Sequence, residues 1–167
     1  MAGPVYACGV LTVSDKGARG ERKDTAGPAV ARLLETNGFR PAATAVVPDE
    51  VEAIRENICN WIDRQAIDLV VTAGGTGLSP RDVTPEAVRP LLDREIPGMA
   101  EAMRLASLRK TPYAMLSRSL AGIRGQSLII TLPGSERGAQ ENLEAVLPTL
   151  AHALSKIKGD DEDCASC

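Results

Sequence analysis

The chain has 167 residues and a formal net charge of −3 at pH 7, with 44% apolar and 25% charged residues. This length suits one domain around one hydrophobic core, and no stretch approaches the roughly 20 apolar residues that cross a membrane. The near-neutral charge and the lack of a basic block exclude a general nucleic-acid binder, which needs a basic face to neutralise phosphates.

Cysteine usage and the first residues favour a reduced, cytoplasmic protein. Four cysteines do not make a disulfide scaffold at this size, and Cys8 and Cys59 fall in a predicted strand and helix, as buried thiols often do. Residues 1–6 contain no basic segment ahead of a long apolar run, so we expect no secretory leader. Cys164 and Cys167 form a CxxC pair whose role the sequence leaves open.

Predicted strands alternate with predicted helices along the chain. Hydrophobic patterns, Gly and Pro signals and caps give strands over 5–13, 42–47, 67–73 and 127–132, and helices over 25–37, 50–64, from Thr84-Pro85, over 97–109 and from Ser135 to about Lys156. This order predicts a three-layer α/β/α fold around a mostly parallel central sheet. We expect one domain over 1–158, followed by a disordered acidic tail over 159–167.

Polar or glycine-rich segments follow four of the predicted strands. They are Ser14-Asp15, Pro48-Asp49, the run from Gly74 to Gly77, and Pro133-Gly134-Ser135. Open parallel sheets bind ligands beyond the carboxyl ends of their strands, so these segments predict one site at that edge.

The run TAGGTG from Thr72 to Gly77 is the strongest local signal. Glycines after a buried strand let main-chain N–H groups approach an anion closely, which favours a phosphate. The run lacks both the GK[ST] ending of a P-loop and the third glycine of a Rossmann fingerprint. An ordinary glycine-rich turn stays open as the alternative.

Two loop carboxylates are candidate ligands for Mg²⁺, which takes oxygen ligands and usually only one or two from protein. Asp82 lies in a loop two residues ahead of the predicted cap Thr84, and Asp49 follows the second strand. Each also has a structural alternative. Asp82 can order its loop as an Asx-turn, and Asp49 can form a capping box with Glu52.

The remaining polar candidates are weaker when taken singly. Ser117-Arg118-Ser119 offers hydroxyls and a guanidinium to a polar heterocycle or a phosphate, or is a surface loop. Ser135 either leaves the N–H groups of a helix N-terminus to a nucleotide or caps that helix, and Asp24 or Thr25 can cap the helix over 25–37. His152 is the only histidine, which argues against Ser-His or Cys-His hydrolysis.

Six segments taken together resemble the MogA/MoaB family of molybdenum-cofactor biosynthesis proteins. The chain is similar also to the N-terminal domain of gephyrin and the corresponding plant domain, over residues 5–157. The segments that carry the resemblance are TVSD from Thr12, DTAG from Asp24, TAGGTG from Thr72, DVTPE from Asp82, SRS from Ser117 with Gly122, and LPGS from Leu132.

The resemblance implies an enzyme that transfers adenylyl from Mg-ATP to the phosphate of molybdopterin, releasing pyrophosphate. It implies catalysis and Mg²⁺ binding by Asp49 and Asp82. The residues implied to bind the nucleotide and its phosphates are Thr72, Gly74, Gly75, Thr76, Gly77, Pro133, Gly134 and Ser135. Those implied to lie near the pterin substrate are Ser14, Asp15, Ser117, Arg118 and Ser119. A homotrimer and a partnership with the molybdenum-inserting enzyme of the pathway are also implied.

Two other functions stay open at this point. One is a non-catalytic carrier or scaffold that binds molybdopterin, and the other is a nucleotide phosphoanhydride hydrolase on the same fold. The presence of carboxylates at both Asp49 and Asp82 favours catalysis over carriage. The sequence does not separate the MogA-like from the MoaB-like branch, or molybdenum from tungsten.

Overall fold

The computed structural model describes residues 5–160. Its strands are β1 Ala7–Val13, β2 Arg40–Val47, β3 Leu69–Ala73, β4 Arg94–Glu95, β5 Ala121–Arg124 and β6 Ser127–Leu132. Its α-helices are α1 Asp15–Ala18, α2 Ala26–Thr36, α3 Val51–Cys59, α4 Thr84–Val88, α5 Pro97–Leu108 and α6 Glu136–Ile157. Helix α3 continues into a π-turn at Asn60–Arg64, and 3-10 turns lie at Arg89–Leu91 and Pro112–Leu116.

The strands form one six-stranded sheet in the order β2-β1-β3-β6-β5-β4. The four strands predicted from the sequence pair in parallel, β1 with β2 and β3, and β3 with β6. The mostly parallel three-layer α/β/α fold is therefore confirmed. Because these four strands run in one direction, their carboxyl ends and the loops that follow them lie along one edge of the sheet.

Both faces of the sheet are covered, as the continuous burial of β1, β3 and β6 requires. One face packs on α2, α5 and α6 through residues such as Val30, Met103 and Leu143. The other packs on α3 and α4 through Ile54 and Val88. None of the helices within residues 5–160 combines the length and apolar character that a bilayer crossing requires.

Strands β4 and β5 were not predicted. They add an antiparallel edge to the sheet, with β5 pairing β6 through a tight turn and β4 pairing β5 over two residues. A two-residue strand leaves no periodic pattern, and β5 reads Ala-Gly-Ile-Arg, which lacks the β-branched alternation of a typical strand.

The N-termini of three helices test the capping residues that the sequence predicted. Thr25 holds the N-cap position of α2 without a side-chain cap bond, and Asp24 Oδ1, one residue earlier, accepts from Gly27 N at 2.9 Å. Ser135 is the N-cap of α6, and its Oγ accepts from Gly138 N at 3.1 Å. The prediction of Thr84 as an N-cap is wrong, since Thr84 is the first residue of α4. Its hydroxyl instead donates to Gly74 O at 2.8 Å, which ties the helix to the glycine run.

Candidate functional site

Two adjoining cavities lie at the carboxyl edge of the sheet. The first has a volume of about 450 Å³ and is bounded mainly by the glycine run, α5, the 3-10 turn at Pro112–Leu116 and the start of α6. The second, of about 600 Å³, is bounded by the ends of β1 and β3 and by the starts of α2 and α6. Gly75, Asp82 and Gly134 line both cavities and form their common border.

The glycine run adopts backbone angles that side chains disfavour. Gly74 has φ +115° and Gly75 has φ +66°. A Cβ on Gly74 would collide with the main-chain oxygen of Val13, and one on Gly134 would lie 3.2 Å from the Cα of Gly74. The absence of a side chain lets Gly74 lie against the end of β1, and the absence of one at Gly134 lets that loop approach Gly74 closely.

Asp49 points into this edge and is fixed from two sides. Its Oδ2 accepts from Asp15 N at 2.8 Å, and its main-chain N donates to Asp15 Oδ1 at 3.0 Å. The capping-box alternative for Asp49 is wrong, because Glu50 occupies the N-cap position of α3 and no side-chain cap bond forms there. Burial raises the pKa of Asp49 above its ordinary value, and the charges of Asp15 and Asp82 add to the rise.

Asp15 itself is held by Arg81, from the loop that also carries Asp82. The Arg81 guanidinium donates to both carboxylate oxygens of Asp15, at 2.9 and 2.8 Å. This bidentate pair lowers the pKa of Asp15 below its ordinary value. The predicted substrate residue Asp15 therefore links two loops and does not line either cavity.

Asp82 lies at the centre of the arrangement. It lines both cavities, and its Oδ2 accepts from Ser79 N at 2.8 Å while its N donates to Ser79 O at 2.9 Å. Asp82 therefore orders its loop, but by accepting from a residue three positions earlier and not through the Asx-turn alternative, which needs a donor two positions later. The carboxylate of Asp82 can still bind a metal, because its two oxygens carry four lone pairs and Ser79 N takes up one of them.

The donor set suits a magnesium ion. Asp49 and Asp82 line the second cavity together, and a cation beside them would offset the repulsion and burial that disfavour the ionised form of Asp49. Within residues 5–160 no cluster of three or more His, Cys, Asp or Glu side chains is arranged to hold a metal. Mg²⁺ commonly takes only one or two protein carboxylates and completes its shell with water and substrate phosphates.

The predicted segment Ser117-Arg118-Ser119 is divided by the fold. Ser117 lines the first cavity, whereas Ser119 is 3% exposed and accepts a hydrogen bond from the Ser117 hydroxyl at 3.1 Å. Arg118 lines neither cavity and contacts the loop from Gly77 to Asp82 instead.

The other predicted residues are placed as follows. Thr76, Gly77 and Pro133 line the first cavity, and Ser14, Gly74 and Ser135 line the second. Thr72 is fully buried in β3, and its hydroxyl has no hydrogen-bond partner within residues 5–160. The CxxC of Cys164 and Cys167 lies outside the described residues, as does the predicted tail from 161 onward.

Four basic residues that the sequence did not single out also line the cavities. Arg104 and Lys110 line the first, and Arg22 and Lys23 line the second. The sequence could have indicated Arg22 and Lys23, because they come directly before the start of a helix that follows a parallel strand. Such helix starts lie at the carboxyl edge of the sheet, where ligands bind. The sequence contains no such signal for Arg104 and Lys110, because it is the tertiary packing of α5 that brings these two residues to the edge.

Comparisons with known proteins agree with this geometry. The family described as "Probable molybdopterin binding domain" matches residues 9–152. The molybdopterin adenylyltransferase of Helicobacter pylori is 40% identical over 154 residues, which is 91% of this chain and 88% of that protein. Gephyrin of Dictyostelium discoideum is 45% identical over 91% of this chain. The chain spans only 22% of the length of that protein and 26% of the length of another long relative.

A solved structure shows the same fold. The molybdopterin biosynthesis enzyme MoaB of Thermus thermophilus superposes with a TM-score of 0.88 at 57% identity, over 93% of this chain and 98% of that one.

Proposed function

The chain belongs to the molybdopterin-binding domain family that matches it over residues 9–152, and we propose that it adenylylates molybdopterin with Mg-ATP. In this reaction a terminal phosphate oxygen of molybdopterin forms a bond to the α-phosphorus of ATP. The bond from that phosphorus to the bridging oxygen of the β-phosphate breaks, and pyrophosphate leaves.

The observation that carries the proposal is the common border of the two cavities. A transfer between two anionic substrates needs a binding space for each and one point where their phosphates meet. Gly75 and Gly134 bring main chain to that point without side-chain bulk, and Asp82 adds a carboxylate there. A carrier that holds a single ligand has no need of a second cavity across such a border.

We place ATP in the second cavity and the pterin in the first, because the second cavity holds both the carboxylates Asp49 and Asp82 for the metal and two basic side chains. Arg22 and Lys23 line the second cavity, and their side chains have no ion-pair or hydrogen-bond partner within residues 5–160, so their charges are available to a triphosphate. In the first cavity Lys110 is paired with Glu141 at 2.8 Å, and Arg104 donates to Ser119 O at 2.9 Å. These groups suit a mostly neutral, hydrogen-bonding heterocycle better than a polyphosphate.

The chain's own groups need only to bind and orient the substrates. Asp49 and Asp82 would hold Mg²⁺, which when bound withdraws charge from the α-phosphate and the leaving pyrophosphate. The attacking phosphate is ionised at neutral pH, so no side chain has to remove a proton. This agrees with the histidine position, since His152 lies on α6 and lines neither cavity.

We also propose that the chain forms a homotrimer. The α5 patch, which we define as Leu105, Leu108 and Met115, lines an apolar groove, and its side chains are 60%, 40% and 64% exposed. Apolar side chains exposed together in this way commonly mark an interface. The molybdenum-inserting enzyme of the pathway is the expected recipient of the adenylylated product.

A turnover assay tests the proposal directly. Purified protein is mixed with molybdopterin, ATP and Mg²⁺, and adenylylated pterin and pyrophosphate are followed by mass spectrometry. We expect both products in equal amounts and only with the metal present. Molybdopterin binding without adenylylation would instead establish a carrier, and ATP breakdown that needs no pterin would establish a hydrolase.

A further inference from the structure

We infer that Arg118 positions the Asp82 carboxylate by clamping both ends of the loop from Gly77 to Asp82, and that it does not bind substrate. Its catalytic consequence rests on the proposed adenylyl transfer, whereas the clamp itself is a property of the fold.

The contacts of Arg118 are concentrated on one loop. Its Nε donates to Gly77 O at 2.8 Å and its Nη2 donates to Asp82 O at 2.6 Å, so one guanidinium holds the first and last residues of the loop. Its main-chain N also donates to Thr76 O at 2.9 Å. Its Nη1 pairs with the carboxylate of Glu86, from α4.

Apart from Arg118, one other side chain ties the loop to the rest of the fold, because Arg81 pairs with Asp15. Residues 78–81 between its ends are all exposed, and the bonds recorded within it join Ser79 to Asp82 and to Arg81. Exposed loops of this kind open readily unless their ends are tied. The guanidinium, with a rigid planar fork of donors, can tie two carbonyl groups at once.

Arg118 is itself anchored to the sheet. Two residues further on, Leu120 N donates to Thr131 Oγ1 at 2.9 Å, and Thr131 N donates to Leu120 O at 2.9 Å. Thr131 lies in β6, which pairs with the central strand β3. Arg118 therefore holds the loop that carries Asp82 in a fixed position relative to the sheet.

Three observations argue against a role in substrate binding. Arg118 is absent from the linings of both cavities, three of its side-chain nitrogens already donate to protein groups, and the Glu86 carboxylate offsets its charge. A phosphate-binding arginine needs its donors directed to the ligand. An arginine that acts through Asp82 affects the metal and the rate more than substrate affinity.

The experiment replaces Arg118→Lys in the full chain and uses Arg124→Lys as the matched control. Arg124 is a similar half-buried arginine far from the cavities, bonded to both carboxylate oxygens of Asp63 and to Leu91 O. Lysine keeps the charge but cannot tie two carbonyl groups. Three readouts are taken: hydrogen exchange of residues 77–82, the Kd of Mn²⁺ by electron paramagnetic resonance with a non-hydrolysable ATP analogue, and kcat and KM.

We expect Arg118→Lys to speed exchange of the loop, to raise the Mn²⁺ Kd about tenfold and to lower kcat about tenfold or more. The Kd of molybdopterin and of metal-free ATP should stay within about twofold, and Arg124→Lys should change none of these. A raised molybdopterin or ATP Kd with unchanged loop exchange would overturn the inference and make Arg118 a substrate ligand. So would unchanged loop exchange and Mn²⁺ affinity together.

The clamp can be tested even if the protein shows no turnover or the first variant does not fold. Hydrogen exchange and Mn²⁺ binding need no turnover, so they test the clamp even if the wild-type protein fails to adenylylate molybdopterin. If Arg118→Lys does not fold, Glu86→Gln removes one partner of the guanidinium and leaves both carbonyl contacts. It should shift the same readouts in the same direction by less, and no shift would count against the clamp.

Discussion

Asp15 and Asp49 hold each other through a reciprocal pair of hydrogen bonds, in which the main-chain N of each residue donates to the carboxylate of the other. The two residues follow neighbouring parallel strands, β1 and β2, so this pair fixes the spacing of their two loops. Arg81 then joins Asp15 to the loop of Asp82. Three loops at the edge of the sheet are thus connected through one carboxylate.

The first prediction concerns Asp82. Asp82→Asn should lower kcat by at least about a hundredfold, because the charge at the common border of the cavities is removed. The melting temperature should change by less than about 2 °C, since an asparagine oxygen can still accept from Ser79 N. Calorimetry and the turnover assay check the two parts, and a large fall in melting temperature with full activity would show that Asp82 only orders its loop.

The second prediction concerns the stability of the protein at different pH values. The raised pKa of Asp49 means that the folded state binds more protons than the unfolded chain, so stability falls as pH rises from the ordinary aspartate pKa through the raised one. Asp49→Asn removes this cost and should raise the metal-free melting temperature at pH 7 by about 1 °C, while lowering activity. The gain should vanish as the pH falls through that window.

A matched control for Asp49→Asn is Asp63→Asn. The hydrogen bond from Arg124 lowers the pKa of Asp63, so its stabilisation is present above the ordinary pKa and is lost at lower pH. Asp63→Asn should therefore lower the melting temperature at pH 7. Equal shifts in both variants would contradict the burial and repulsion assigned to Asp49.

The third prediction ranks three glycines by the free energy of unfolding in urea. Gly74→Ala should cost about 3–5 kcal/mol, because φ is +115° and the new Cβ meets the main-chain oxygen of Val13. Gly75→Ala should cost about 2–3 kcal/mol, because φ is +66° and the new Cβ would meet the buried hydroxyl of Thr84. Gly77→Ala should cost less than about 1 kcal/mol but reduce activity, because its Cβ would lie 2.9 Å from Asp82 Oδ2. A different order would mean that this loop relaxes around added side chains.

The fourth prediction tests which cavity receives ATP. Replacing Arg22→Gln and Lys23→Gln together should raise the KM for ATP about fivefold at low salt, less at high salt, and leave the KM for molybdopterin unchanged. Arg19→Gln is the control, since Arg19 is exposed, pairs with Glu21 and lines neither cavity. A rise in the KM for molybdopterin alone would exchange the two substrates between the cavities.

The fifth prediction concerns assembly. Leu105→Glu places a charge in the α5 patch and should convert a trimer to a monomer in sedimentation velocity, because burying an unpaired carboxylate costs several kcal/mol. Gln126→Glu, in the exposed turn between β5 and β6, should leave the trimer intact. If both variants stay trimeric, the contact lies on another surface.

The sequence predicted the parallel core because β1, β3 and β6 are apolar runs bounded by turn residues, and that pattern is local. The contacts that organise the site are not local. Asp49 accepts from a residue 34 positions earlier, and Arg118 donates to carbonyl groups 41 and 36 positions earlier. Local spacing therefore suggested a capping box for Asp49, and the family resemblance implied a ligand role for Arg118. Only tertiary packing shows the contacts that each of these side chains makes.

The close approach of Gly134 to Gly74 has a consequence for engineering. At Gly134, which lies against Gly74, the border between the cavities is main chain, and the one side chain that the border carries, Asp82, is the proposed metal ligand. A variant that accepts another nucleotide or another pterin has to be sought at the outer walls, where Arg22, Lys23 and Lys110 lie. Mutant libraries that leave the two glycines untouched would keep the proposed meeting point of the substrates and still vary the walls that we propose to contact them.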